Sequence, residues 1–524
     1  MKSNKIKIAI AGLIVGGVMI TSCKKDITDL NENPNALSAV DALSLKYVFS
    51  ASQYYGIMAG TGNGGTYQLF QSLFTDQRAQ YFSCVQTKFP SDRNIMVGSW
   101  LNRSWDQFYI GQSQLAEVLK HTAPGAALEN PTIYAIAQVW KVYTYQLLTD
   151  AYGPLPYSEA GNKKNEVLFD GQREIYMDFI KTLRESSVTL SQADAVSGLG
   201  DGDLIYGGDT KKWLRFANSL RLRIALRISA VEPAMARKEA EEATAATGGL
   251  LQVAGDNAFL KVSNNTPNPL AAISNWGEFR MSAAMQSILQ GYDDPRLPMY
   301  FSPAKNSGKF KGVRNGLSIA QMQVVGNTAD DNSNLAIKIG FQNKGLAPFP
   351  IMVTAETYFL LAEAKLKGWF VGQQTAKQYY ELGVKASMEQ WGIENTVGNA
   401  YVESTRTPAV LGDMFQTPAL TDIPVKFSAS ADKQLEQIIT QKWLALFPQS
   451  PEAWAEYRRT GFPKLYPRIN NENPEASTDP NSVHRLTYPP NISALDPKGY
   501  ASAVEKLGGK DNVQTRVWWD VNAK

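Results

Sequence analysis

The sequence predicts a mainly α-helical protein in which the helices stack as pairs. Apolar residues recur at spacings of three and four over several long segments, which is typical of helices with a buried face. Strand patterns are weak, as at residues 335–340. The chain has 524 residues, of which 44% are hydrophobic, so it can bury a large core.

The N-terminal residues 1–22 predict an export signal. Three lysines precede an apolar run at residues 8–20, which is too short to cross a bilayer because a spanning helix needs about 20 residues. The signal ends in an aliphatic residue, two small residues and Cys23, which resembles a bacterial lipobox. We therefore predict that Cys23 carries a lipid, that residues 23–38 form a lipidated tether and that residues 39–524 form a single domain. The alternative is an ordinary signal peptide with a chance cysteine.

Residues 209–228 show the helical period most clearly. A second apolar stripe runs beside the first, so we expect this helix to lie between two packed neighbours. Asp209 is the predicted N-cap. The two stripes consist of Trp213, Phe216, Leu220, Ile224 and Ile228, and of Leu214, Leu222 and Leu226.

Residues 353–367 and 375–391 predict a helical hairpin. Gly368 and Gly392 stand where a glycine ends a helix, and small residues face each other at the crossing. Such a hairpin needs stacked neighbours to bury both faces. Further helices are predicted at residues 40–58, 99–119, 131–148, 175–190, 234–246, 283–290, 432–447 and 451–459.

The helical pattern gives way to irregular segments at residues 248–349 and 401–430, and again at residues 463–509. These stretches are rich in Asn, Pro and Gly. Long ordered loops on a rigid scaffold commonly carry binding surfaces. The loops, rather than the helices, are therefore where we expect a ligand.

Charge and composition exclude several classes of function. The net charge is +3, and removal of the three signal lysines leaves 3 − 3 = 0, so no basic patch for nucleic acid is expected. Two histidines and two cysteines are too few and too scattered for a zinc site, and Cys84 is expected to be a buried thiol. Asp201, Asp203 and Asp209 lack the spacing of a calcium loop and are interpreted as turn and cap residues. No metal or cofactor is predicted.

Short motifs follow one another in a recognisable order along the chain. They are Asn31-Glu32-Asn33-Pro34-Asn35, Tyr152-Gly153-Pro154-Leu155-Pro156-Tyr157, the run from Asp203 to Trp213, Asp294-Pro295-Arg296-Leu297, the segment from Glu356 to Gly368, Gln441-Lys442-Trp443, Arg458 to Pro463, and Trp518-Trp519-Asp520. In this order the motifs resemble those of the SusD/RagB family of outer-membrane nutrient-uptake lipoproteins of Bacteroidetes. Pro154 departs from the pattern, since the family usually has an acid there.

The resemblance implies a scaffold of stacked tetratricopeptide-like helix pairs with a loop-rich ligand-binding half. It implies a surface-exposed, lipid-anchored outer-membrane protein without catalytic activity. Such a protein acts as the lid and capture subunit of a SusC-type TonB-dependent transporter. Our interpretation of the ligand is a glycan or oligosaccharide. The alternatives are a peptide or other nutrient, a surface glycoside hydrolase and a purely structural lipoprotein.

Two loop regions combine aromatic rings with amides, carboxylates and arginine, the groups that stack on sugars and bond to their hydroxyls. The first region, residues 71–105, supplies the candidates Asp76, Gln77, Tyr81, Phe82, Trp100 and Asn102. The second, residues 264–280, supplies Trp276, Phe279 and Arg280. Tyr81 and Trp276 are the strongest candidates. By contrast, the helix period places Trp213, Trp443 and Trp454 in the core.

One carboxylate pair bears on the hydrolase alternative. Glu356 and Glu363 are seven residues apart on one helix, which separates them by about 10.5 Å. Paired catalytic carboxylates of glycosidases stand roughly 5 to 9.5 Å apart. Because the helix is apolar on all sides, we expect both acids to meet buried arginines from neighbouring helices.

Overall fold

The structure is a computed structural model, and it describes residues 40–59, 65–161, 166–340 and 347–521. The export signal, Cys23 and the tether to residue 38 lie outside the described residues, as do the domain boundaries predicted there. By its internal contacts the chain divides into residues 1–45 and residues 46–524. In the first unit, Asp41 accepts a hydrogen bond from the backbone N–H of Ser44 at 2.7 Å and so begins the first helix.

Long helices dominate the described chain, as the sequence predicts. They are α1 (Ala42–Gly56), α2 (Gly98–Thr122), α3 (Pro131–Tyr152), α4 (Gln172–Gln192), α5 (Thr210–Arg227), α6 (Pro233–Ala245), α7 (Ala283–Gly291), α8 (Thr354–Leu366), α9 (Ala376–Gln390), α10 (Ala431–Leu446), α11 (Ser450–Thr460) and α12 (Pro497–Leu507). The prediction of a mainly α-helical fold is confirmed. Asp209 caps α5 by accepting a hydrogen bond from the N–H of Lys212 at 3.0 Å.

Consecutive helices pack as pairs and the pairs stack. In the first half, α2 packs on α3, α3 on α4, α4 on α5 and α5 on α6. In the second half, α8 packs on both α9 and α10, and α10 packs on α11. The two halves meet where α8 contacts α5 and α11 contacts α3. At the α8–α9 crossing, a Cβ atom added to Gly383 would lie only 2.8 Å from the Phe359 ring, so the small residue is needed there.

Short elements lie between the long helices. The strands are β1 (Phe82–Cys84), β2 (Ala258–Leu260), β3 (Phe279–Met281) and β4 (Phe349–Met352), and β1 pairs with β3 and β2 with β4, both antiparallel. Short α-helices occur at Gly65–Tyr67, Asp76–Arg78, Pro269–Asn275, Leu297–Tyr300, Ile319–Met322, Asn395–Tyr401 and Pro490–Leu495, and a π-helix at Gln68–Thr75. Short 3-10 turns occur at Pro90–Arg93, Gly200–Gly202, Ala254–Asp256, Ala329–Asp331 and Pro480–Ser482.

The weak strand pattern at residues 335–340 does not form a strand in the structure. Leu335 forms a single bridge with Phe301, and a turn follows at once. The N–H groups of Ile339 and Gly340 both donate to the carbonyl of Ala336, which closes the chain on itself instead of extending it.

Asp203 has a structural role in the turn before α5, as the sequence analysis expects. Its carboxylate is buried and accepts hydrogen bonds from the Gln53 amide at 2.8 Å and the Trp213 indole at 2.7 Å. The backbone N–H of Gly208 donates to it as well, at 2.8 Å. Trp213, Trp443 and Trp454 are each buried to 2% exposure or less, which confirms their assignment to the core.

Buried ion pairs join the two halves of the scaffold. Arg223 of α5 donates two hydrogen bonds to Glu356 of α8, at 2.7 and 2.6 Å, with both side chains fully buried. Arg459 of α11 makes the same forked contact with Glu363, at 2.7 and 2.6 Å. The expectation that Glu356 and Glu363 meet buried arginines is therefore confirmed. Because the guanidinium groups occupy both carboxylates, neither is free to act as a catalytic acid or base.

We predict that Glu356→Gln lowers the free energy of unfolding by about 3 to 5 kcal/mol, because it leaves the Arg223 charge buried without its partner. Guanidinium unfolding of the purified protein measures the change. The matched control is Glu381→Gln, since Lys377 meets Glu381 at 3.6 Å and is half exposed. This control variant should lose less than about 1 kcal/mol of unfolding free energy. Equal losses in the two variants would contradict a structural role for the buried pair.

Candidate functional site

The strand pair β1–β3 brings together the two loop regions selected from the sequence. Ser83 lies opposite Arg280 and Cys84 opposite Phe279 in the antiparallel register. Beyond the strands the pairing continues, since the N–H of Val85 donates to the carbonyl of Glu278 at 2.9 Å. Residues almost 200 positions apart in the chain are therefore neighbours in space. We call the strand pair β1–β3, with the residues that pack directly against it, the platform.

Aromatic rings cover one part of this platform. Phe89 stacks on Phe279 with ring centroids 5.8 Å apart, and Trp100 contacts Phe89 at 5.7 Å. Trp100 also packs against Phe74, at 6.2 Å. Phe279 is buried while Trp100 keeps part of its ring exposed. Of the two, only Trp100 can therefore offer a surface to a ligand in this state.

Trp276 is the exposed aromatic residue of the platform. It ends the short helix Pro269–Asn275, and 39% of its surface is accessible. Gly277 follows with a φ of 71°, a left-handed conformation that suits glycine and turns the chain back towards β3. A Cβ atom built on Gly277 would lie 3.8 Å from Nη2 of Arg280, so this turn borders the Arg280 guanidinium.

A polar cleft of about 390 Å³ opens beside this turn, and we name it the Arg280 cleft. Its polar lining consists of Ser274, Asn275, Arg280, Ser302, Lys305, Asp330, Asn332 and Asn334. The walls are held by hydrogen bonds: the Arg280 Nε donates to the carbonyl of Ala329 at 2.8 Å, and the Asn334 amide donates to that of Ser274 at 2.9 Å. Lys305 pairs with Asp330 at 2.8 Å, and both are exposed. An indole face next to amide, ammonium, guanidinium and carboxylate groups suits an oligosaccharide.

The tertiary structure contradicts Tyr81 as a ligand-stacking residue. Tyr81 is fully buried, and its hydroxyl donates to the carbonyl of Trp443 at 2.5 Å. Its ring packs against Trp443 and Phe447, at 5.1 and 5.3 Å. The prediction for Tyr81 is wrong because its ring is completely buried in the core and cannot reach a ligand at the surface.

Two other candidates are buried inside the protein, and a third holds a neighbouring loop. Gln77 is fully buried, and Phe82 packs against Phe301 and Phe447 at 5.9 and 5.8 Å. The Oδ1 atom of Asn102 accepts a hydrogen bond from the N–H of Asn491 at 3.1 Å, so it holds a neighbouring loop. Direct contact of Gln77 or Phe82 with a surface ligand is excluded by their burial.

Asp76 lies at the base of the platform. It follows the π-helix, is 1% exposed, and lines a narrow cavity of about 10 Å³ together with Ser72, Phe82 and Phe279. Burial raises the pKa of Asp76 to about 7, although Ser450, Ser72 and Gln71 oppose the shift by hydrogen bonding. The cavity has room for about one water molecule, so it is too small for a sugar ring to bind at Asp76.

Lys305, Asp330 and Asn334 were not among the ligand-binding residues predicted from the sequence. They belong to a polar stretch without helical or strand period, which was recognised only as part of the irregular segment 248–349. The only local sequence pattern that could have indicated a binding site there is the polar run Asp330-Asp331-Asn332-Ser333-Asn334. Their place beside Arg280 depends on contacts between loops distant in the chain.

Among the described residues, no cluster of three or more histidine, cysteine or acidic side chains could hold a metal ion. Over the same ranges, no helix combines the length and apolar character that a membrane crossing requires. Cys84 is buried in β1, as expected for a core thiol.

Comparison with known proteins identifies the family. The family model described as SusD-like, SusD and RagB outer membrane lipoprotein, matches residues 29–520. The chain belongs to the SusD/RagB family. It is therefore an outer-membrane lipoprotein of a non-catalytic binding family. Cys23 precedes the matched range and lies outside the described residues, so its lipidation stays a prediction.

Solved structures of SusD homologues share the whole fold. A chitin-binding SusD homologue from Flavobacterium johnsoniae is 33% identical with a TM-score of 0.83, and the match covers 92% of this chain and 99% of that one. A SusD homologue from Bacteroides vulgatus is 30% identical with a TM-score of 0.82, covering 91% and 98%. One from Bacteroides uniformis is 31% identical with a TM-score of 0.79, covering 91% and 99%. No curated protein sequence matches the chain.

We predict that Asp76→Asn changes how stability depends on pH. Because the pKa of Asp76 rises from the ordinary 3.8 to about 7, the folded state holds an extra proton between these values. The free energy of unfolding therefore falls as the pH rises from about 4 to about 7, and the Asn variant should lack this fall. Urea unfolding across this range, and at pH 8 where the variant should be the more stable protein, measures the effect. Parallel curves for the two proteins would contradict it.

Proposed function

We propose that the protein captures an oligosaccharide at the cell surface and acts as the lid and substrate-capture subunit of a SusC-type TonB-dependent transporter. Membership of the SusD/RagB family supports the outer-membrane setting. The chitin-binding homologue, at 33% identity over nearly the full chain, supports a glycan over a peptide as the ligand class. The protein contributes binding, and the transporter carries the ligand inward.

The observation that carries the glycan proposal is the exposed Trp276 beside the Arg280 cleft. An indole face binds the apolar face of a pyranose ring, while polar groups around it orient the hydroxyls. The cleft provides donors from Asn275, Arg280 and Lys305 and an acceptor from Asp330. Its volume of about 390 Å³ accommodates one to a few sugar rings, with the rest of a chain lying outside. Trp100, which packs against Phe89 and Phe74, offers a second, partly exposed aromatic surface.

We predict that Trp276→Ala weakens oligosaccharide binding by about tenfold or more, because the lost apolar contact is worth roughly 1.5 kcal/mol or more. Isothermal titration calorimetry against a panel of neutral and acidic oligosaccharides measures it. Phe370→Ala is the matched control, since Phe370 is 66% exposed on the turn between α8 and α9. It should bind like the wild type. Binding of peptides but of no oligosaccharide would favour the peptide-receptor alternative.

We expect the lipidated protein to copurify with a SusC-type barrel when native outer membranes are dissolved in mild detergent. A Cys23→Ala variant serves as the control, because it should leave the membrane fraction while its folded body stays intact. Quantitative mass spectrometry of the affinity-purified sample identifies the partner. Recovery of the wild-type protein alone, under conditions in which the barrel itself stays intact, would contradict the transporter role.

A further inference from the structure

Arg280 is a buried cation that pairs with no carboxylate among the residues that the structure describes. Its residue is 7% exposed, and it donates hydrogen bonds only to two backbone carbonyls, of Ala329 through Nε at 2.8 Å and of Phe279 through Nη1 at 2.7 Å. Within the described ranges, Nη2 has no protein acceptor, and no ion pair is formed. Arg223 differs, since Glu356 holds it in a two-pronged contact. A mostly buried guanidinium charge that no carboxylate neutralises is stabilised when an anionic group binds it.

The surroundings of Arg280 add to this charge. Burial lowers the pKa of Arg280, and the field of Asp330 opposes that shift. The Asp330 carboxylate also forms an ion pair with Lys305, at 2.8 Å. The cleft lining therefore carries two cations, Arg280 and Lys305, against one carboxylate. The remaining polar lining is neutral amide and hydroxyl.

We propose that the ligand of the Arg280 cleft is an acidic oligosaccharide whose anionic group is bound by Arg280, with its ring against Trp276. The inference rests on the proposed function and names the substrate class of the same site. A planar guanidinium fork with a free Nη2 suits an oxyanion such as the carboxylate of a uronic acid or a sulfate ester. The Asp330 carboxylate weakens the positive potential at Arg280 and Lys305. It therefore limits how strongly acidic sugars are preferred over neutral ones.

The first test compares ligands on the full-length protein purified in detergent. Calorimetry is run with oligogalacturonates, which carry carboxylates, with sulfated galactan oligosaccharides and with neutral chitooligosaccharides of equal length. We expect at least one acidic series to bind about tenfold or more tightly than the neutral one, and the carboxylate and sulfate arms tell the two sources of charge apart. Raising the salt concentration to about 0.5 M should weaken acidic binding and leave neutral binding unchanged.

The second test uses a gain of affinity, which misfolding cannot imitate. Asp330→Asn removes the carboxylate charge that faces Lys305 and Arg280, so acidic ligands should bind about threefold to tenfold more tightly, whereas neutral ligands should gain no affinity. Arg280→Gln should weaken acidic binding about tenfold or more, and Arg280→Lys should recover part of it. The matched control is Asp422→Asn, because Asp422 forms the same kind of exposed pair with Lys433, at 2.9 Å.

The outcomes separate the inference from the proposed function. If acidic and neutral oligosaccharides bind equally well and Asp330→Asn changes neither, the acidic class is overturned while glycan capture stands. If no oligosaccharide of either charge binds, the proposed function fails and the inference fails with it. A selective gain of acidic binding in Asp330→Asn, without a change in the Asp422→Asn control, supports both.

Discussion

The scaffold depends on charges that are buried where its two halves meet. Arg227 of α5 reaches Glu452 of α11 at 2.5 Å, and Lys442 of α10 reaches Glu456 of α11 at 2.9 Å. Burial would raise the pKa of Glu456, but Arg459, Lys442 and Arg227 outweigh it and hold this pKa well below its ordinary value. The helices must therefore keep their relative positions, since separating any pair would leave an ion in the apolar interior without its partner. The Arg223–Glu356 and Arg227–Glu452 pairs join helices across 133 and 225 residues of sequence.

This constraint has a consequence for the loops. Because α11 is tied to both α5 and α8, the segments before and after it are anchored to a rigid body. The buried Trp443 of α10 holds Tyr81, which lies just before β1, and β1 in turn pairs with β3. The platform that carries Trp276 is thus supported from below by the helical core. A binding surface on loops gains its precision from such support, because a supported loop loses less conformational freedom when a ligand binds.

Buried and exposed aromatic residues occupy different parts of the platform. Tyr81, Phe82 and Phe279 fill the base of the platform, and Trp276 remains accessible at its edge. Polar groups divide in the same way: Asp76 is enclosed beneath the platform, whereas Lys305 and Asp330 stand in solvent at the cleft. The result is a mostly apolar base below a charged rim, and the proposed ligand site lies at this rim.

The sequence alone determined the helices and their pairing, because a buried helix face must repeat every three to four residues. It also indicated the buried arginine partners of Glu356 and Glu363, since two acids on an all-apolar helix require them. The order of its motifs indicated the family, and the lipobox at Cys23 indicated the anchor. It could not distinguish Tyr81 from Trp276, because both are aromatic residues in irregular segments and burial there has no period. Only the tertiary structure decided this, through the pairing of β1 with β3 and the approach of residues 305–334 to Arg280. These contacts join distant segments, and their energies depend on three-dimensional packing that no local pattern of residues records.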